Sequence, residues 1–263
     1  INSPEQLVIS GGVAAVERRG RAGRARRSKG PARGAAVTAE RASGDVCKSL
    51  ISIFKGSEAA KKLGKGDGDW KPRRFERGAV IGAGVMGGAI ASSMAEKGMQ
   101  VRLGDLAAEV NDAALLQHRA DVDKKKRKRR MTKSEAMAAI DGLDTTTDLS
   151  RGFGGAQIIV EAVAERLDIK QKVFQGLAEQ VGPDCLLATN TSSLSVTAIA
   201  EAVPHPERVV GMHFFNPVPV MTLAEVIRGE QTSDEAATEV AALALRLGKT
   251  PAHAPRVPRP PAP

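Results

Sequence analysis

Tyrosine is absent from this chain, tryptophan occurs once and phenylalanine six times among 263 residues. That leaves few of the aromatic platforms on which single-strand nucleic-acid binders stack bases. Cysteine occurs only at Cys47 and Cys185, without metal-ligand spacing. This rules out a disulfide framework and suits a reducing compartment. No apolar run approaches the roughly 20 residues of a membrane-spanning helix, and no secretory signal pattern opens the sequence. The first residue is Ile1 rather than methionine, as expected of a fragment or a processed product. With 42% hydrophobic residues, the chain has the composition and length of one sizeable globular domain with extensions.

Net charge is also scarce where a folded body is expected. The first 77 residues hold 18 Lys/Arg against 8 Asp/Glu, whereas the remainder holds 21 against 22. The overall excess of +9 therefore lies in the leading segment. Residues 1–44, with RRGRAGRARRSKGPARG, are rich in Arg, Gly and Ala and read as a basic, low-complexity, disordered arm. A nucleic-acid-associated arm is the functional alternative to a solvated tail. Over residues 45–73, Leu50, Ile51, Phe54 and Leu63 fall at partly helical spacing, an amphipathic helix followed by the linker KGDGDWK.

Glycine is placed deliberately. In AVIGAGVMGG, a β-branched run ends at Gly82, and Gly82, Gly84 and Gly87 follow at G-x-G-x-x-G spacing. The first allows a sharp strand-to-helix turn, the second lets backbone approach a pyrophosphate, and the third lets helix pack on strand. The helix starting near Val85 then offers its N-terminal N–H groups to the phosphates. A second strand, Gln100–Gly104, leads into Asp105, placed to accept hydrogen bonds from ribose hydroxyls and so to favour NAD over NADP.

Beyond it, the run KKKRKRR over 124–130 reads as a solvated helical face, and Thr132 with Glu135 has capping-box spacing. Strands are expected over Ala156–Ala162, Cys185–Thr189 and Arg208–Met212, with helices over Leu167–Val181 and Ser233–Leu247. Strands alternating with helices predict a Rossmann-like, doubly wound, mostly parallel sheet over 74–251. The proline-rich residues 252–263 are expected to form a tail that cannot continue the last helix.

The motifs VIGAGVMGG, IIVEAVAERLDIK, LATNTSSL, GMHFFNPVPVM and AEVIRGE, in this order, resemble the NAD-binding domain of L-3-hydroxyacyl-CoA dehydrogenases, as in multifunctional fatty-acid oxidation proteins. The resemblance implies hydride transfer between C3 of a 3-hydroxyacyl-CoA and NAD, giving a 3-ketoacyl-CoA in fatty-acid β-oxidation. It implies His213 as the proton acceptor and Glu225 as the carboxylate paired with it. Ser192 matches a hydroxyl that contacts substrate oxygen and nicotinamide; it lacks the G-x-S-x-G elbow of a hydrolase nucleophile. Gly82, Gly84, Met86, Gly87, Asp105, Val163, Ala164, Glu165, Lys170, Ser192 and Asn216 match cofactor-contacting positions. No metal is implied.

Two departures accompany the match. The family continues after GKTP with a strand, an active-site asparagine and a helical domain that binds substrate and forms a homodimer. Here the chain after Pro251 has none of the strand, the asparagine, which falls by spacing at Pro263, or the helical dimerisation domain, and the arginine-rich start does not look like the hydratase domain expected upstream in a multifunctional protein. The family's settings imply a bacterial cytoplasm, or mitochondria or peroxisomes in a eukaryote.

Overall fold

Alternation of side chains along the strands sorts the core into two layers. In the computed structural model, which describes residues 44–66 and 69–254, strand β1 (Arg77–Ile81) sends Val80 to one face of the sheet and Ala79 and Ile81 to the other. Its neighbours β2 (Gln100–Gly104) and β4 (Ile158–Glu161) run parallel to it, and β3 (Leu143–Thr146) runs parallel to β2. On the other side β5 (Leu186–Thr189) and β6 (Val209–Phe214) continue the parallel set. Strand β7 (Leu223–Arg228) turns back antiparallel to β6, and β8 (Thr250–Ala254) lies parallel to β7. The order is β3-β2-β1-β4-β5-β6-β7-β8. It is the doubly wound, mostly parallel sheet expected from the sequence.

All four residues of β4 and of β5 are buried, as central strands covered on both faces require. One face packs on α2 (Val85–Ala95) through Ile90 and Met94 and on α7 (Asp234–Arg246) through Val240 and Leu243. The other packs on α5 (Leu167–Gln180) through Phe174 and Leu177 and on the short α6 (Val196–Ala200) through Val196 and Ile199. Helices α3 (Ala108–Arg127) and α4 (Lys133–Asp141) lie between β2 and β3 in the chain. The expected capping box is formed: Thr132 Oγ1 accepts from Glu135 N–H, and the Glu135 carboxylate accepts from Thr132 N–H. Of the basic run, Lys125 pairs with Glu96 and Lys126 with Asp123, and residues 126–130 are exposed.

Helix α1 (Asp45–Ala60) precedes this body, with Val46, Leu50, Ile51, Ile53 and Phe54 exposed. The described residues divide into two units at Gly56 and Ser57. The basic arm up to residue 43, the tail from Pro255 onward and Pro263 itself lie outside the described residues.

One expectation is corrected. A strand does run beyond Pro251: β8 begins at Thr250, within GKTP, and pairs with β7 from Leu223↔Thr250 to Ile227↔Ala254. Pro251 is tolerated there because β8 is the outermost strand, where a missing N–H need not break a ladder. Strand β6 also extends past Met212, so His213 lies within the strand.

The segment leading into β1 is fastened to α7 by Arg73, whose Nε and Nη2 donate to the two oxygens of Glu239 at 2.7 Å each. The Glu239 side chain is 4% exposed, so removing the guanidinium leaves a buried carboxylate with its countercharge gone and only the N–H of residue 73, at 3.2 Å, still donating to it. Arg73→Ala is expected to lower stability by roughly 1–3 kcal/mol, read from urea unfolding.

Candidate active site

The strand order reverses between β1 and β4, each of which leads into a helix on an opposite face. Such a switch point opens a crevice at the carboxyl ends of the strands. The three glycines that border it have different reasons to be glycine. Gly82 has φ of +92°, and a Cβ there would stand 2.6 Å from the Ala162 carbonyl oxygen. A Cβ on Gly87 would stand 1.7 Å from the Gly82 oxygen. Gly84, by contrast, has an ordinary φ of −62° and nothing within 4 Å of a Cβ position. The fold needs the first and third; the second leaves open space above the start of α2.

Asp105 follows β2 and ties this turn to it. Its Oδ2 accepts from Ala83 N–H at 2.8 Å and its Oδ1 from Ala107 N–H at 3.2 Å. Asp105 is half-buried beside the glycine turn.

On the other side of the crevice, β4 ends on Glu161, a fully buried carboxylate. Its Oε1 accepts from Val163 N–H and from Lys170 Nζ, and its Oε2 accepts from the Thr189 hydroxyl, each at 2.7 Å. Glu165 stands nearer the surface. Its Oε1 accepts from the Thr191 hydroxyl and from the N–H groups of Ser192 and Ser193, at 2.9 and 3.2 Å. Burial alone would raise its pKa, but those hydrogen bonds and the Lys170 ammonium outweigh it and hold the carboxyl at about 2. A depressed carboxyl contributes stability that is complete above its unfolded pKa and is lost as pH falls through its folded value. Glu165→Gln is therefore expected to lose less stability than the wild-type chain as pH falls from about 4.5 to 2, read from unfolding at each pH.

A cleft of about 330 Å³ gathers Met86, Val163, Glu165, Lys170, Ser192, His213 and Asn216, with Asn190 and Phe214. Ala164 is exposed beside it in the loop after β4. His213 and Glu225 face each other in the β6–β7 register. Directly opposed residues on antiparallel strands share one face of the sheet. No hydrogen bond or ion pair joins them among the described residues. His213 Nδ1 instead lies 3.3 Å from the Asn190 carbonyl oxygen, and its ring meets Phe215 edge-on at 4.8 Å. A carbonyl only accepts, so the neutral imidazole that makes this hydrogen bond carries its proton on Nδ1 and has Nε2 as its acceptor. Asn190 in turn accepts through Oδ1 from Phe214 N–H at 2.8 Å.

The sequence-based site left out Glu161, Thr189, Asn190 and Thr191. Their signal was positional: each stands at or just beyond the carboxyl end of β4 or β5, where a doubly wound sheet gathers its polar groups. Among the described residues, no cluster of His, Cys, Asp and Glu could hold a metal ion, and no helix is long and apolar enough to cross a membrane.

Comparison with known proteins agrees with this geometry. Residues 78–257 match the family model described as 3-hydroxyacyl-CoA dehydrogenase, NAD binding domain. The fatty acid oxidation complex subunit alpha of Pseudomonas syringae pv. tomato is 39% identical over 207 residues, covering 78% of this chain and 28% of that protein. That of Psychrobacter arcticus is 37% identical over 217 residues, covering 82% of this chain and 30% of that protein. The chain thus spans less than a third of the length of these relatives. Among solved structures, 3-hydroxybutyryl-CoA dehydrogenase from Escherichia coli K12 superposes with a TM-score of 0.67 at 39% identity, covering 69% of this chain and 38% of that one. The (S)-3-hydroxybutyryl-CoA dehydrogenase PaaH1 from Ralstonia eutropha gives 0.65 at 34% identity, covering 68% and 63%. The crevice, the open glycine and the extent of the family match converge on one conclusion: this chain belongs to the 3-hydroxyacyl-CoA dehydrogenase family and carries its NAD-binding domain.

Proposed function

We propose that this domain binds NAD across the crevice and supports interconversion of a 3-hydroxyacyl-CoA and a 3-ketoacyl-CoA. The observation that carries the reading is the convergence of Met86, Ser192, His213 and Asn216 on one cleft at the switch point of the sheet. The residues present fit the cofactor: Gly84 leaves a cradle that a Cβ would fill, and Asp105 adds a carboxylate beside it. Gly82, Gly84 and Gly87 shape the pyrophosphate seat, Asp105 takes the ribose hydroxyls, and Met86, Val163, Ala164, Glu165 and Asn216 line the path towards the nicotinamide.

NAD, when bound, supplies the acceptor for the hydride leaving C3. His213 takes the hydroxyl proton at Nε2, the nitrogen left free by the Nδ1–H hydrogen bond to Asn190. Glu225, opposite it in register, places a negative charge near the imidazolium that forms. The Ser192 hydroxyl and the Asn216 amide orient the substrate oxygen and the carboxamide. The names of the bacterial relatives support an acyl-CoA substrate and a place in fatty-acid oxidation, and with them a cytoplasmic setting.

Reduced-nicotinamide fluorescence tests the first part. Saturable binding that favours NADH over NADPH by about tenfold or more is expected, because Asp105 repels a 2′-phosphate. Equal affinities would remove Asp105 from the ribose site. Oxidation of NADH on addition of acetoacetyl-CoA tests the second part, and a chain that binds NADH but does not turn over would limit the reading to cofactor binding.

A further inference from the structure

Asn216 lines the cleft, yet its side chain makes no hydrogen bond among the described residues. What places it is the course of the backbone over 215–222, which joins β6 to β7. This loop supplies little fastening of its own: the N–H groups of Val220 and Met221 both donate to the Pro217 carbonyl, at 2.9 and 3.0 Å, and Val220 is 67% exposed. Its far end is tied to β8, where Thr250 N–H donates to the Thr222 carbonyl at 2.6 Å. The residue before Thr250 reaches further back. Lys249 Nζ donates to the Val218 carbonyl and, at 2.8 Å, to the Met221 carbonyl. Thr250 lies opposite Leu223 and Ala224 opposite Phe214, so Lys249 stands at the end of the sheet where β6 delivers His213 and Asn216.

An ammonium is a costly group to keep there. Lys249 is 8% exposed, and no carboxylate pairs with it among the described residues. Burial, with Lys125 and Lys97 nearby, pushes its pKa below the ordinary lysine value. The two loop carbonyls are what its donors satisfy in return. The base of the side chain is fixed, because Lys249 N–H donates to the Ala244 carbonyl near the end of α7 and β8 starts at the next residue. We propose that Lys249 is a positioning residue for the candidate active site: standing where α7 turns into β8, it draws the Val218 and Met221 carbonyls onto one ammonium and so sets the loop that presents Asn216 to the cleft. Lys249 does not line the cleft itself, so whatever it does there it does through the loop. The effect on the cofactor rests on the function proposed above; the hold on the loop does not.

Lys249→Met keeps a stem of similar length and removes the donors. In the ligand-free chain, amide hydrogen exchange at Val220 and Met221 is expected to rise about tenfold or more, while the amides of β4 and β5 stay protected. Chemical rescue separates lost donors from altered packing. In a C47S/C185A background, Lys249→Cys alkylated with 2-bromoethylamine in urea and refolded regains an ammonium on a thioether stem, and exchange is expected to return to within about twofold of that background. NADH affinity is expected to fall about threefold or more in Lys249→Met, and N216A/K249M is expected to bind no more weakly than Asn216→Ala alone, since residues that act through one another do not add.

Unchanged exchange at Val220 and Met221 in Lys249→Met, or a rise that the rebuilt ammonium does not reverse, overturns the hold on the loop. Additive losses of NADH affinity overturn its action through Asn216. If Lys249→Met does not fold, Lys249→Gln replaces it: an amide on a shorter stem can serve one carbonyl but not both, so exchange at the same two amides is still expected to rise, by about threefold or more, and no rise overturns the proposal. A wild-type chain that binds no NADH defeats the cofactor reading instead, and the exchange measurement then still decides the hold on the loop.

Discussion

Alanine at Gly87 is expected to break the strand-to-helix junction, whereas alanine at Gly84 is expected to spare the fold and abolish tight NADH binding. The two positions lie three residues apart in one motif, yet they answer to different neighbours. At Gly87 a methyl group would stand 1.7 Å from the Gly82 carbonyl oxygen, a backbone atom that cannot rotate away. Overpacking of this kind costs about 1–3 kcal/mol where side chains can yield, so a loss of roughly 3 kcal/mol or more is expected here. In a domain of this size that lowers the thermal midpoint by roughly 6–12 °C. At Gly84 a methyl group meets nothing within 4 Å and the backbone is already in a conformation open to any residue. The change in stability should stay within about 1 kcal/mol, mostly the small difference between glycine and alanine as helix N-caps. The methyl would instead occupy the space through which a pyrophosphate reaches the N-terminus of α2, and NADH affinity should fall about tenfold or more. Melting curves and fluorescence titrations of the two variants separate the effects. If Gly84→Ala binds NADH as the wild-type chain does, the cofactor does not cross α2 at this turn.

That contrast also marks what the sequence could reveal. Spacing named all three glycines, but only the structure shows that Gly84 has no intramolecular reason to be glycine. The buried β-branched runs of β4 and β5 were legible because a central parallel strand is apolar throughout. Strand β3, LDTT, was not, because two exposed or half-exposed threonines and an aspartate on four residues carry no periodic signal. Strand β8 was obscured by Pro251, and its existence depends on tertiary pairing with β7 at the edge of the sheet rather than on local propensity.

The site was legible to a similar depth. His213 and Glu225 were identified as partners through the resemblance, and the strand reversal does set them opposite each other. What the sequence did not disclose is that the Asn190 carbonyl, 23 residues earlier, lies against the histidine ring nitrogen. Likewise Glu165 and Lys170 were recognised, but not Glu161, because a carboxylate at the end of an apolar strand gives no hint that it is fully buried and pairs with a lysine nine residues on. Contacts between strand ends are set by sheet order, which the local sequence does not encode.

Sheet order likewise governs the second large effect. His213→Gln should lower turnover of acetoacetyl-CoA by about 10²–10⁴-fold, the usual contribution of a positioned acid or base. Glutamine can keep a donor for the Asn190 carbonyl but offers no nitrogen that exchanges a proton near neutral pH. NADH affinity should change less than about threefold, because the glycine turn and Asp105 stand on β1 and β2 while His213 stands on β6, beyond β4 and β5. On the proposed roles, Glu225→Gln should lower turnover less, and H213Q/E225Q should be no slower than His213→Gln alone, as expected of a carboxylate that acts through the imidazole. Steady-state rates and NADH titrations of the three variants decide the roles. If His213→Gln loses NADH binding together with turnover, the histidine supports the fold of β6 and the proton passes through another group. If the double variant is markedly slower than His213→Gln, Glu225 contacts substrate or cofactor on its own account.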